Sequence, residues 1–386
     1  MKTIFLRAIF PLFYKKTGIA LVLFLFLGMK VSAQPTVFHS RGTGGGGATF
    51  SPAINPADGN EIYLGSDLGG LYHTTDGCQN WDIVPFTEAI GGIFSKVCFT
   101  SDPMVRFTIK YDRSHFVSRP AKSTDGGKTW AFLPGDDQPD EEKLFIFSDK
   151  NSPGRVVWTD YNHLFYSNDG GQTAALKWTA ANSGTGILLS GAFFDGQNIY
   201  LGTNEGVLVS NDGGQNFTKG NFGGIPAMEA IIGFGGAKSS GTMRFFALTG
   251  KIGNVWATTL GEGDWYEITT GVYSLDNAAG NWQPKTTGLD FSNQFFYWLG
   301  MAENDISTCW LAGSNGNEEP LVFKTTDAGA GCVGTSHGEA DPILTSGNRR
   351  YVLPDPRIVH GQPVVAVRPA RVPVAGPHRR RRAVER

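Results

Sequence analysis

Long apolar runs are nearly absent from this chain of 386 residues. The one sustained run, Gly18–Gly28 (GIALVLFLFLG), is shorter than the ~20 residues a helix needs to cross a bilayer. Lys2, Arg7, Lys15 and Lys16 precede it, and the small residues of Val31–Ala33 follow it. Basic, apolar and small residues in that order make a secretory leader, with cleavage expected after Ala33. A retained membrane anchor is the alternative, and the shortness of the run argues against it. The mature chain is expected to be secreted, periplasmic or extracellular, with no membrane contact after cleavage.

Cysteine is scarce: Cys78, Cys98, Cys309 and Cys332 are all there is. None stands in a Cys-x-x-Cys or Cys/His spacing, so no zinc site is expected. In an exported protein a Cys78–Cys98 bridge and buried free thiols are both open. Charge is also sparse, at 18%, with a net of −2. Ten arginines crowd into Arg349–Arg386, against Asp355 and Glu385 alone. The remainder is therefore acidic, which argues against a nucleic-acid partner. A P-loop, G-x-S-x-G and H-E-x-x-H are all missing. Gly233–Gly241 (GFGGAKSSG) is rich in glycine but lacks the G-K-S/T order of a phosphate loop, so it reads as a turn. No cofactor is expected.

Glycine is abundant, at 52 residues, and aromatics make up 12%. That composition suits an all-β protein with many turns. A repeat organises it. The stretch KSTDGGKTW (Lys122–Trp130) recurs as HTTDGCQNW (His73–Trp81), YSNDGGQTAALKW (Tyr166–Trp178) and VSNDGGQNF (Val209–Phe217). Looser copies are YSLDNAAGNW (Tyr273–Trp282) and KTTDAGAG (Lys324–Gly331). Their aspartates, Asp76, Asp125, Asp169, Asp212, Asp276 and Asp327, lie 43 to 64 residues apart. Periods of that size mark propellers and related arrays. Each unit holds short β-branched and aromatic runs between Gly/Asn/Asp turns, which predicts a four-stranded blade. The widest spacing leaves room for an insertion within Ala257–Gly271.

The repeated element reads as scaffolding. A short carboxylate can accept backbone N–H groups and fix a tight turn. The glycines tolerate positive φ. The aromatic residue returns as the next strand. The motif resembles the Asp-box, or bacterial neuraminidase repeat, which sits on the outer hairpin between the third and fourth strands of a blade. The resemblance implies an Asp-box β-propeller of four-stranded blades, seven-bladed in an intact parent, with about six present here.

Propeller chemistry sits at one mouth of the channel, where second strands end. Those positions carry Asp67 (GSDLGG), Asp112 (KYDRS), Asp160 (WTDYN), Asn204 (GTNEG) and Asn315 (GSNGN). Asp and Asn also simply favour turns. Asp67 and Asp160 are the candidate catalytic carboxylates. Asp112, Asn204 and Asn315 are candidate substrate contacts. Trp158 lies two residues before Asp160 and so shares its strand face, a candidate for stacking on a sugar. Trp256, Trp298 and Trp310 also lie outside the repeats.

Arg41–Trp81, with Gly44–Gly47, INPADGNEIYLGSD and DLGGLY, is similar to the start of the xyloglucanases of glycoside hydrolase family 74. In that family the aspartate of D-x-G-G-x-Y is the general base, which here is Asp67. The resemblance implies an inverting two-carboxylate glycosidase acting on a β-glucan or xyloglucan-type polysaccharide. It also implies a second propeller, missing here, that supplies the acid. Sortilin-like propellers, which bind peptides without catalysis, are a more distant resemblance. A sialidase is not expected: Pro356–Val359 (PRIV) is not the F/Y-R-I-P element, and arginine is scarce outside the tail.

The expected organisation is a leader over 1–33, a propeller over 34–330 and a basic Pro/Arg-rich tail over 331–386. From residue 330 onward there is no Lys, Trp or Phe. That change of character fits either a reading-frame slip after Asp327 or a disordered basic tail for an anionic surface. An unfinished ring would expose a strand edge.

Overall fold

The computed structural model describes residues 43, 48–256, 269–317 and 319–334. The leader, the Gly44–Gly47 run, nearly all of the Ala257–Gly271 stretch and the tail beyond Gly334 lie outside the described residues. No helix among the described residues is long and apolar enough to cross a membrane.

Among the described residues, six sheets of four antiparallel strands follow one another, each in simple sequence order. The first blade is β1 (Thr49–Asn55), β2 (Asp58–Ser66), β3 (Leu71–Thr74) and β4 (Asp82–Ile83). The second is β5 (Cys98–Phe99), β6 (Arg106–Asp112), β7 (Val117–Ser123) and β8 (Ala131–Phe132). The third is β9 (Phe145–Ser148), β10 (Val156–Thr159), β11 (His163–Ser167) and β12 (Ala175–Thr179). The fourth is β13 (Leu189–Asp195), β14 (Asn198–Thr203), β15 (Gly206–Ser210) and β16 (Thr218–Lys219). The fifth is β17 (Glu229–Ser239), β18 (Thr242–Lys251), β19 (Thr269–Asp276) and β20 (Gln283–Pro284). The sixth is β21 (Gln294–Met301), β22 (Cys309–Asn315), β23 (Pro320–Thr325) and β24 (Val333–Gly334).

Strand alternation makes each blade sticky on both faces. In β2, Tyr63 packs with Phe99 and Trp130 of the second blade, whereas its neighbour Leu64 packs with Trp310 and Val322 of the sixth. In β10, Val157 faces Leu201 and Phe217 of the fourth blade, while Val156 and Trp158 face Phe107 and Ile109 of the second. The cores therefore lie between blades. Glycine permits the closest approach: a Cβ on Gly202 would fall 2.2 Å from the Cβ of Phe234 in the next blade.

The ring closes with six blades. Leu64 and Tyr72 of the first meet Trp310, Ala312 and Val322 of the sixth in one buried cluster. No seventh blade is needed, and the sheet faces at the seam are covered rather than open. Shortening the seam should loosen it. Val322→Ala removes two buried methyl groups and is expected to cost about 2 kcal/mol in denaturant unfolding. A loss near zero would mean the seam does not close the fold.

Candidate functional site: the channel mouth at Asp67

Five of the six repeated aspartates stand in the turn after the third strand of their blade and share one geometry. In the second blade the Ser123 hydroxyl donates to Asp125 Oδ1 at 2.8 Å and accepts from Gly127 N–H at 2.8 Å. Asp125 then accepts the Thr129 N–H at 2.9 Å and its hydroxyl at 2.7 Å. Gly126 and Gly127 sit at φ 76° and 89°, the left-handed region glycine favours. These hydrogen bonds hold the carboxyls of Asp76, Asp125, Asp169 and Asp212 down at about 2, and that of Asp327 below its ordinary value. The fifth copy departs. Asp276 ends β19 and forms a two-pronged ion pair with Arg244, at 2.6 and 2.7 Å. These carboxylates are occupied in holding turns. Asn216, the acceptor of an N-x-S/T sequon, is similarly engaged through Nδ2 on Asp212 at 2.7 Å.

Second strands end at the opposite face, and there the polar candidates divide. Asn204 Oδ1 accepts the Leu188 N–H at 2.9 Å and Nδ2 donates to the Gly186 carbonyl at 3.0 Å, so it ties its blade to the incoming chain. Asn315 closes its own turn through the Asn317 and Glu319 amides at 3.0 and 2.9 Å. Asp160 is buried and accepts the Asn162 and His163 amides at 2.7 and 2.6 Å, with His163 Nδ1 at 3.0 Å. Asp112 is buried between His115 Nδ1 at 2.7 Å and Arg119 at 2.9 Å. Burial alone would raise the Asp112 carboxyl. Hydrogen bonds from His115, the Ser114 amide and Arg119 outweigh it and hold the group at about 2. Trp158 is 1% exposed and belongs to the packing between the second and third blades. The face shared with Asp160 is the one that meets the second blade.

Asp67 differs from all of these. It is exposed, at the tip where β2 turns into β3. Its Oδ1 accepts the Ala48 N–H at 2.8 Å, and its own N–H donates to the Ala48 carbonyl at 3.2 Å. Gly69, at φ 89°, lets the chain reverse within the DLGGLY element. The result is a fixed carboxylate in contact with solvent, which can take a proton from a water molecule.

The inner strands of the ring line a channel cavity of about 220 Å³, with Phe50, Phe147, Gly191, Gly233 and Trp298 among its walls. At the face away from Asp67, Lys150 reaches Glu303 at 2.5 Å and so joins the third and sixth blades across the ring. At the Asp67 face, Trp256 follows β18 and stacks on Tyr161 and Phe145 at 5.2 and 6.1 Å. Its indole N–H donates to the Thr185 carbonyl of the fourth blade at 2.6 Å. These contacts between blades are not visible as any spacing in the chain. Cys78 and Cys98 fall in separate apolar clusters and are not bridged to each other.

No protein-family model matches the chain. A probable oligoxyloglucan-reducing end-specific xyloglucanase of Neosartorya fischeri is 26% identical over 102 residues, which is 26% of this chain and 12% of that protein. Among solved structures, an ancestral GH74 enzyme superposes with TM-score 0.58 at 19% identity, over 75% of this chain and 38% of its own. The fold is that of the GH74 propellers. The GH74 xyloglucanase of Xanthomonas campestris agrees, with TM-score 0.55 at 14% identity, over 77% of this chain and 46% of its own. The GH74-like propeller thus spans less than half the length of either enzyme. YCF48, solved with bound D1 peptide, has TM-score 0.52 at 12% identity, over 85% of this chain and 94% of its own.

Proposed function

We propose that this chain is the base-bearing propeller of a secreted glycosidase related to the GH74 xyloglucanases. Its substrate would be a β-glucan or xyloglucan-type polysaccharide lying across the mouth at Asp67. The observation that carries the proposal is the contrast among carboxylates. Asp67, in the DLGGLY element, faces solvent, whereas Asp112 and Asp160 are buried in hydrogen bonds.

In the proposed reaction Asp67 takes a proton from water, and the resulting hydroxide attacks the anomeric carbon. A carboxylic acid on the other side of the sugar, ~6.5–9.5 Å away, protonates the leaving oxygen. Neither neighbour suits the acid role. Asp112 is held ionised beside Arg119, and Asp160 is committed to its turn. We place the acid on a second domain, in keeping with the fraction of the GH74 enzymes that this propeller covers. Incubation of the propeller together with an acid-bearing partner domain and soluble xyloglucan, with the first-formed anomer read by NMR, tests the mechanism. Inversion of the β-linkage gives the α-anomer first. A β-anomer first overturns it.

A second reading has its own support. YCF48 is a propeller of nearly this extent, and its structure holds a peptide. A binding propeller without catalysis predicts affinity for peptide or glycan with no turnover, even beside an added acid-bearing domain.

A further inference from the structure

Three large apolar side chains stand out at the mouth over the first two blades: Leu68 at 71% exposure, Phe86 at 50% and Phe116 at 77%. Leu68 follows Asp67 directly. Phe86 lies in the link between β4 and β5, and Phe116 ends the turn between β6 and β7. Backbone hydrogen bonds tie these segments together. Gly91 N–H donates to the Gly69 carbonyl at 3.0 Å, and Tyr111 N–H donates to the Ile90 carbonyl at 3.0 Å. Lys110 Nζ, from β6, holds the Glu88 carbonyl at 2.7 Å. The link bearing Phe86 is thus pinned between the turns bearing Leu68 and Phe116.

Water drives such side chains inward, and Phe116 is kept out by its backbone. Its φ is 62°, a conformation that bulky residues rarely adopt. Asp112 braces the turn by taking the Ser114 amide at 2.8 Å and His115 at 2.7 Å. Glycine or asparagine would suit that position better. A largely exposed aromatic ring held at an unfavourable backbone angle points to something it meets. Other exposed apolar residues, Ile83, Leu176 and Val333, lie singly on outer strands and need no such account.

We infer that Phe116, flanked by Leu68 and Phe86, is the stacking platform that seats a β-linked glucan chain beside Asp67. The inference rests on the proposed role of Asp67 and adds the residues that hold the sugar. A β-linked pyranose presents a flat C–H face, which suits an exposed aromatic ring, and outward hydroxyls, which suit a carboxylate acceptor. Anionic ligands are disfavoured by the same carboxylate.

Calorimetric titration with soluble xyloglucan and with cellohexaose tests the platform. Phe116→Ala is expected to weaken binding by about tenfold or more, a change of ~1.4 kcal/mol per tenfold. Phe116→Tyr keeps the ring and should retain binding. Leu176→Ala, on the outer strand β12, should change nothing. Thermal unfolding of the Phe116 variants should match the parent, because the side chain is outside the core. If the parent binds and Phe116→Ala binds equally well, the platform is wrong and the role of Asp67 stands. If the parent binds neither glycan, both are wrong.

Discussion

In the propeller paired with an acid-bearing domain, Asp67→Asn should lower xyloglucan hydrolysis by about two to four orders of magnitude, the range a positioned general base contributes. An amide cannot accept the proton from the attacking water. It can still accept the Ala48 N–H that Asp67 Oδ1 takes at 2.8 Å, so the β2–β3 turn should stay in place. The loss should therefore fall on kcat, with KM and glycan affinity little changed. Steady-state kinetics alongside calorimetric binding separates the two. Equal hydrolysis by parent and variant would remove Asp67 from the mechanism. Asp112→Asn and Asp160→Asn should behave in the opposite way, lowering the melting temperature through their lost turn and ion-pair contacts.

The second large effect is expected at the joint between the first two blades. Arg106 of β6 donates to Glu61 Oε1 of β2 at 2.6 Å and to the Tyr63 hydroxyl at 2.7 Å. Both charged residues are buried. Removing one partner leaves the other charge buried and unmatched, so Arg106→Leu should cost about 3–5 kcal/mol in unfolding experiments. Replacing both, as Glu61→Leu with Arg106→Leu, should recover most of that loss, because two charges no longer have to leave water. A double variant as unstable as the single one would show that the pair is not what the joint depends on.

The same joint predicts a pH dependence. Burial alone would raise the Glu61 carboxyl. Hydrogen bonds from His73 and Asn55, with the charge of Arg106, outweigh it and hold the group at about 2. A carboxyl depressed in the folded state adds stability above its ordinary value of ~4.3 and loses it as pH falls towards the folded value. The protein should therefore lose about 3 kcal/mol from this group between roughly pH 4.5 and 2. The Arg106→Leu and Glu61→Leu double variant should show a flatter acid limb in pH-dependent melting.

Much of the fold is legible in the sequence. The recurring S/T-x-D-G-G element marks a turn because its chemistry is local: a hydroxyl, a carboxylate and two glycines within five residues complete the hairpin. Asp276 shows the limit of such matching. The letters of the motif are partly there, but Arg244, 32 residues away, claims the carboxylate. The candidate residues stand where second strands end. Their chemistry was not legible, because whether an aspartate is exposed or buried depends on partners such as Arg119. Trp158 illustrates the same point. Its spacing from Asp160 put it on a given face of β10, but that face meets the second blade.

The sequence by itself determined the all-β class, the four-stranded unit, its turns and the position of Asp67, since each of these depends on residues close together along the chain. Tertiary structure decided that six blades close through Leu64, Tyr72, Trp310 and Val322, that Arg106 locks onto Glu61, and that Phe116 stands in solvent beside the mouth. Those outcomes depend on which faces of distant strands meet. In a ring, the first and sixth blades become neighbours although more than 200 residues separate them, and only side-chain volume and charge at the seam settle the match.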